Sequence, residues 1–168
     1  YYTRHKYAIE FYSPTTLIKT ETGVLYEAPL NSYDWTPDAS TAPNKYEPGT
    51  VVFEGWYLNP ECTGEKFDFT THTMPSGTND GDTTLTLYAK WVPVTRTVEF
   101  YLDQDDMENN TDMLAKRETP HGSVLNPGVE APTNGDYTFV GWFYMDGDEE
   151  KGFVDTMPIT KDMKVYAK

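Results

Sequence analysis

Cysteine is almost absent from this chain, with Cys62 alone among 168 residues. A single thiol cannot close an internal disulfide, so the disulfide framework of many small secreted domains is excluded. No metal-ligand spacing surrounds Cys62, and it reads as a bystander in a hairpin loop. Histidine is scarce too: His5, His72 and His121 fall in a linker and two loops. They are neither spaced as metal ligands nor paired with a nucleophile. Nucleophile elbows, paired-histidine zinc motifs and phosphate-cradling glycine loops are missing as well. The chain therefore reads as non-enzymatic, with no catalytic residue, no cofactor and no metal. No stretch approaches the roughly 18 apolar residues of a membrane span, so direct membrane insertion is not expected. Positive charge is in deficit: 13 Lys and Arg stand against 27 Asp and Glu, for a net charge of −14. Such a chain repels phosphates, which excludes nucleic acid as a partner. The acidic surface reads first as a solubility device and second as a contact for a cation or a basic partner.

Long helices are also missing. Pro29, Pro37, Pro43 and Pro48 break any helix across the first half, and Pro127 and Pro132 do so in the second. The only helical expectation is a single turn over Phe67 to Thr71, matched by Phe153 to Thr156. The densest acidic clusters, Asp103-Gln104-Asp105-Asp106 and Asp146-Gly147-Asp148-Glu149-Glu150, are expected in turns. Asp103-Gln104-Asp105 begins like a calcium loop but lacks the central glycine and the later ligands.

What the chain does contain, it contains twice. Ile9-Glu10-Phe11-Tyr12 returns as Val98-Glu99-Phe100-Tyr101. Phe53-Glu54-Gly55-Trp56-Tyr57 returns as Phe139-Val140-Gly141-Trp142-Phe143, and Thr73-Met74-Pro75 as Thr156-Met157-Pro158. Leu87-Tyr88-Ala89-Lys90 returns as Val165-Tyr166-Ala167-Lys168. Ordered matches of this kind mark a duplicated unit. The expected boundary gives modules at residues 1–92 and 93–168. The first copy is longer after its Gly-Trp, and part of the excess is the turn-forming stretch Ser76 to Asp82.

Within each copy the strong signals are strands. Tyr7, Ile9 and Phe11 alternate onto one face, as do Leu85, Leu87, Ala89 and Trp91. Val98 and Phe100, and Met163, Val165 and Ala167, repeat these inward sets. Val51 to Leu58 and Tyr137 to Tyr144 are β-branched and aromatic runs. Leu17 to Thr22 and Met113 to Thr119 are candidate second strands. Each copy is thus expected to hold about four strands and a long irregular crossing, in a mostly β chain of the α+β class. The linker Val92-Pro93-Val94-Thr95 is short and stiff, which leads to an expected semi-rigid, end-to-end arrangement.

These blocks resemble the Listeria–Bacteroides repeat, also called the internalin B-repeat. Copy two carries Gly135-Asp136-Tyr137-Thr138-Phe139-Val140-Gly141-Trp142-Phe143, Met157-Pro158 and Val165-Tyr166-Ala167-Lys168 in register with that pattern. Copy one carries Phe53-Glu54-Gly55-Trp56-Tyr57, Phe67-Asp68-Phe69 and Leu87-Tyr88-Ala89-Lys90-Trp91. It departs at Val51-Val52-Phe53 and in its longer loop, and copy two departs at Gly152-Phe153-Val154-Asp155. The resemblance implies two tandem β-grasp, ubiquitin-like units, exported and displayed on a bacterial cell surface. The chain opens on Tyr1 and reads as a piece of a longer array. Copy one runs on to Trp91, so a tryptophan is expected after Lys168 in the parent.

The Gly-Trp pairs read as structural first, with an aromatic binding platform as the alternative. Tyr88 and Tyr166 alternate away from the expected core and are the candidate binding residues. The expected role is a non-catalytic spacer or stalk whose partners are neighbouring repeats or domains of the same polypeptide. The alternative is a dedicated module binding a host glycan or protein through exposed tyrosines and acidic loops.

Overall fold

The computed structural model describes residues 1–133 and 135–168. The chain divides into two compact units, Tyr1–Val92 and Pro93–Lys168, each mostly β.

In the first unit, β1 (Lys6–Ser13), β2 (Thr16–Leu25), β3 (Val51–Tyr57) and β4 (Thr84–Pro93) form a 4-stranded sheet in the order β2-β1-β4-β3. Pro14 and Thr15 close the β1–β2 hairpin, while β1 and β4 run parallel with Phe11 opposite Leu87 and Tyr12 opposite Tyr88. A parallel pair requires a long return between its strands, which the intervening crossing supplies. The alternation in the sequence places Ile9, Phe11, Leu85 and Leu87 at 0% exposure. Each such side chain contributes about 1.5–3 kcal/mol by leaving water.

The proline-rich crossing has no helix beyond two 3₁₀ turns, Asn31–Tyr33 and Ala39–Thr41. A second loop supplies its backbone partners instead. Glu27 N–H donates to the Met74 carbonyl at 2.9 Å, Leu30 N–H to His72 at 3.1 Å, and Met74 N–H returns to Ala28 at 3.0 Å. These bonds fix Leu30 and Met74 in the core, both fully buried. The helical turn expected over Phe67 to Thr71 is not formed. The Asp68 carboxylate accepts from Thr70 N–H at 2.9 Å and bends the chain into a turn. Phe67 and Phe69 flank that turn and are both buried.

The second unit holds β5 (Thr95–Tyr101), α1 (Gln104–Asn109), β6 (Met113–Pro120), β7 (Trp142–Asp146), β8 (Glu149–Phe153) and β9 (Met163–Ala167). Its 5-stranded sheet runs β6-β5-β9-β7-β8, again with a central parallel pair, Phe100 opposite Val165 and Tyr101 opposite Tyr166. Val98, Phe100, Ile159 and Val165 form the centre of its core.

Three expectations are corrected here. The acidic run Asp103 to Asp106 is not a simple turn. Asp103 caps α1 by accepting from Asp106 N–H at 2.9 Å, and Asp105 and Asp106 occupy the first turn, where the helix dipole favours negative charge. Phe153 does not begin a helical turn. It ends β8, paired with Trp142. The strand expected from Tyr137 instead begins at Trp142 and continues to Asp146. Its neighbour β9 reaches Ala167, opposite Trp142, so the residues before Gly141 lie beyond the end of that ladder.

Candidate interaction surface

Each sheet has a face turned away from its main core, and the duplicated tyrosines lie on it. In the first unit Tyr12 and Tyr88 are half-buried neighbours on the parallel strands, with ring centroids 5.7 Å apart and planes inclined by 31°. The Tyr12 hydroxyl donates to Glu10 at 3.2 Å, and this bond is the main cause of its raised pKa. Beside them the Lys90 ammonium lies 5.1 Å from the centre of the Tyr57 ring and pairs with Glu54 at 3.0 Å. Tyr57 is buried, so the accessible aromatic surface is the Tyr12–Tyr88 pair. The sequence pattern alone does not single out Tyr12, although its block returns in copy two with Tyr101.

Cys62 approaches the same strand, its sulfur 3.6 Å from the Ala89 carbonyl. Burial pushes its thiol pKa up, which favours the unreactive protonated form.

The second unit treats the equivalent face differently. Tyr166 points away from the main core, as the alternation requires, but it is not on the surface: its exposure is 0%. The expectation that Tyr166 is accessible is therefore corrected. α1, inserted between β5 and β6, lays Met107 over Tyr101 and Tyr166, with Phe143 and Met145 alongside. The Tyr166 hydroxyl donates to Glu150, whose carboxylate also holds Lys168 at 2.7 Å. Burial first, and the Glu150 bond second, push the Tyr166 pKa up to about 12. Tyr88 keeps an accessible edge while Tyr166 is interior.

The Gly-Trp pairs are structural. Trp56 is 1% exposed and packs edge-on to Phe11 at 4.8 Å, and its indole N–H donates to the Trp35 carbonyl at 2.9 Å. Trp142 repeats this with Phe100 at 5.0 Å and the Val129 carbonyl at 3.4 Å. Gly55 makes room for the stem of Lys66, whose Cδ would lie 2.0 Å from an added Cβ.

The acidic turn after β7 is occupied by lysines. Asp146 accepts from Lys151 at 2.7 Å and Lys161 at 3.3 Å, which together lower its pKa. Among the described residues no three His, Cys, Asp or Glu side chains cluster as a metal site would require. No helix among them is long and apolar enough to cross a membrane.

Duplicated aromatic cores and recurrent Gly-Trp and Tyr-Ala-Lys positions in two mostly β units define a tandem β-repeat protein. The sequence profile of the Listeria-Bacteroides repeat domain matches residues 36–90 and 97–168. The chain belongs to that family and carries two tandem copies of its repeat. It is 33% identical over 103 residues to Internalin H of Listeria monocytogenes, covering 61% of this chain and 15% of that protein. It is 29% identical over 116 residues to a protein of Evansella cellulosilytica described as "Putative membrane protein", covering 69% of this chain and 15% of the relative. The chain thus matches only a small part of the length of either relative. No solved structure matches it significantly.

Proposed function

We propose that the chain is a tension-bearing spacer in a bacterial surface protein, each unit being a reduced β-grasp fold. Two observations support the fold assignment: the strand order β2-β1-β4-β3, echoed as β6-β5-β9-β7, and the parallel pairing of first and last strands. Similarity to Internalin H supports display at the cell surface, next to other domains of the same polypeptide.

The parallel pairing carries the mechanical reading. Each unit is entered at the start of its first strand and left at the end of its last. Tension along the chain then pulls two neighbouring parallel strands in opposite directions. All hydrogen bonds between them are loaded together, whereas an antiparallel hairpin pulled at its open end loses them one at a time. The test is single-molecule force spectroscopy on the full chain. Pulling through the termini should give unfolding forces severalfold above those obtained by pulling the first unit through Lys6 and Leu25, the open end of the β1–β2 hairpin. Equal forces in the two geometries would count against a spacer role.

A second reading rests on the Tyr12–Tyr88 pair. Two adjacent tyrosine rings, with Glu10 bonded to Tyr12 and the Lys90–Glu54 ion pair beside them, suit a glycan or a host protein with polar groups around an apolar face. Titration against glycan and extracellular-matrix panels tests it. Saturable binding that is lost in Tyr88→Ala and kept in Tyr166→Phe would favour this reading.

A further inference from the structure

Methionine is distributed unevenly between the copies. The first unit holds Met74 alone, fully buried in its core. The second holds Met107, Met113, Met145, Met157 and Met163. Met157 and Met163 pack in the main core of that unit. Met107 and Met145 pack on the opposite face, against Tyr101 and Tyr166. In the first unit the corresponding corner is only Pro14 and Thr15, with no helix over the tyrosines.

Little else holds α1 to the sheet. It has 6 residues, well below the roughly 12–15 at which an isolated helix becomes even marginally stable. Met107 is its one buried residue, so α1 has no second apolar anchor. A cleft of about 360 Å³ runs between α1, β7 and the start of β9, with Met107 and Met145 in its lining and Lys161 and Lys164 along it. That volume is more than ten times the roughly 30 Å³ of a water molecule in the liquid, so a small oxidant has room beside both thioethers.

The surroundings of the two sulfurs offer nothing to an added oxygen. The Tyr101 hydroxyl already donates to Glu99 at 3.0 Å, and the Tyr166 hydroxyl donates to Glu150. The Met145 sulfur lies 3.7 Å from that Tyr166 oxygen. Each phenol has one proton, so a sulfoxide seated on these rings is a buried acceptor without a donor. At Met145 it also faces the strand position of Glu150, an acceptor itself. Lys161 and Lys164 are exposed, so a sulfoxide meets donors and water by swinging off the tyrosines.

We propose that Met107 and Met145 are an oxidation site whose modification by hydrogen peroxide unlatches α1 and uncovers Tyr101 and Tyr166. The sulfur lone pair attacks one peroxide oxygen, and the S–O bond forms as the O–O bond breaks. Sulfur gives up two electrons; the departing hydroxide takes the proton of the transferred hydroxyl and leaves as water. A flexible apolar side chain becomes a polar sulfoxide, and a sulfoxide reductase with a thiol reductant reverses the step. Once α1 is released, the second unit presents the tyrosine pair that matches Tyr12 and Tyr88, while the first unit is unchanged.

The test treats the full chain with hydrogen peroxide, maps sulfoxides by peptide mass spectrometry and follows each unit by melting and hydrogen exchange. Met113, 49% exposed, reports delivery of the oxidant. Met107 and Met145 should each gain one oxygen, and the melting temperature of the second unit should fall by about 5–10 °C. Amides 104–109 should lose protection in the same fraction of chains that carries the Met107 sulfoxide, and the reductase should reverse both. The volume-conserving double variant Met107→Leu, Met145→Leu should match the parent before treatment and resist peroxide. Met107 and Met145 left unmodified while Met113 is fully oxidised, or modified with α1 still protected, would overturn the proposal. So would an equal fall in the double variant, which would assign the effect to Met157 or Met163.

Discussion

Trp56 donates its indole N–H to the carbonyl of Trp35, 21 residues earlier, and the two rings lie 5.6 Å apart. This contact fastens β3 to the proline-rich crossing, whose only helical pieces are two 3₁₀ turns. Trp56→Phe keeps an aromatic ring but removes the donor and part of the volume. The expected loss is about 1–3 kcal/mol in the stability of the first unit. Trp142→Phe should cost the second unit less, because Trp142 is only half-buried and its bond to Val129 is 3.4 Å. Urea denaturation of each variant checks the order. Equal losses would mean that the hydrogen bond to the crossing contributes little.

The buried Tyr166 gives the second unit a defined response to alkali. Its pKa is about 12 in the folded state, raised by burial and by the Glu150 bond, against about 10 for a solvated tyrosine. Below pH ~10 both states keep the proton and the contribution to stability is complete. As pH rises through the folded value the unfolded chain has already released its proton, and the contribution is lost. Tyr101 shifts in the same direction, chiefly through burial. Glu150 responds to acid instead, because Lys168 first and the Tyr166 hydroxyl second hold its pKa low. Its contribution is complete above the ordinary glutamate value of about 4.3 and is lost as pH falls through the folded value. Tyr166→Phe should flatten the fall in melting temperature between pH 10 and 12. Glu150→Gln should flatten the acid limb as well. An alkaline limb unchanged by Tyr166→Phe would place the hydroxyl in water.

Two glycines in the long loop of the first copy should behave differently. Both have positive φ, +79° at Gly77 and +84° at Gly81, so alanine strains the backbone at either. At Gly77 an added Cβ also meets Leu85 at 2.7 Å and Leu58 at 2.9 Å, whereas nothing lies within 4 Å at Gly81. Gly77→Ala should therefore cost about 1–3 kcal/mol more than Gly81→Ala. Thermal melts of the two variants make the comparison, and similar melting temperatures would show that the loop is not packed on the core.

Much of the interior was legible because alternation fixes a strand's buried face. Period-two spacing alone turns Ile9, Phe11, Leu85, Leu87, Val98, Phe100 and Val165 inward, and all are buried. The elements that escaped are those without periodicity. α1 spans only Gln104–Asn109, too short for a helical repeat to show, and its acidic residues resemble a turn until Asp103 is seen to cap it. β8 reads Glu-Glu-Lys-Gly-Phe, a polar string, because an edge strand carries charge that discourages further pairing. α1 is also what covers Tyr166. The pattern correctly turned that side chain away from the main core, but pattern alone cannot reveal that another segment covers it. Nothing in the sequence singles out Tyr12, because its partner, Tyr88, is adjacent only through the parallel pairing of β1 and β4.

The turn between the first two strands of each copy has a wider consequence. In one copy it is Pro14 and Thr15; in the other it is the whole stretch 102–112, α1 included. The surrounding sheet keeps its order despite this difference in length. That corner is a natural grafting port, where a foreign peptide or epitope could be installed without renegotiating the interior.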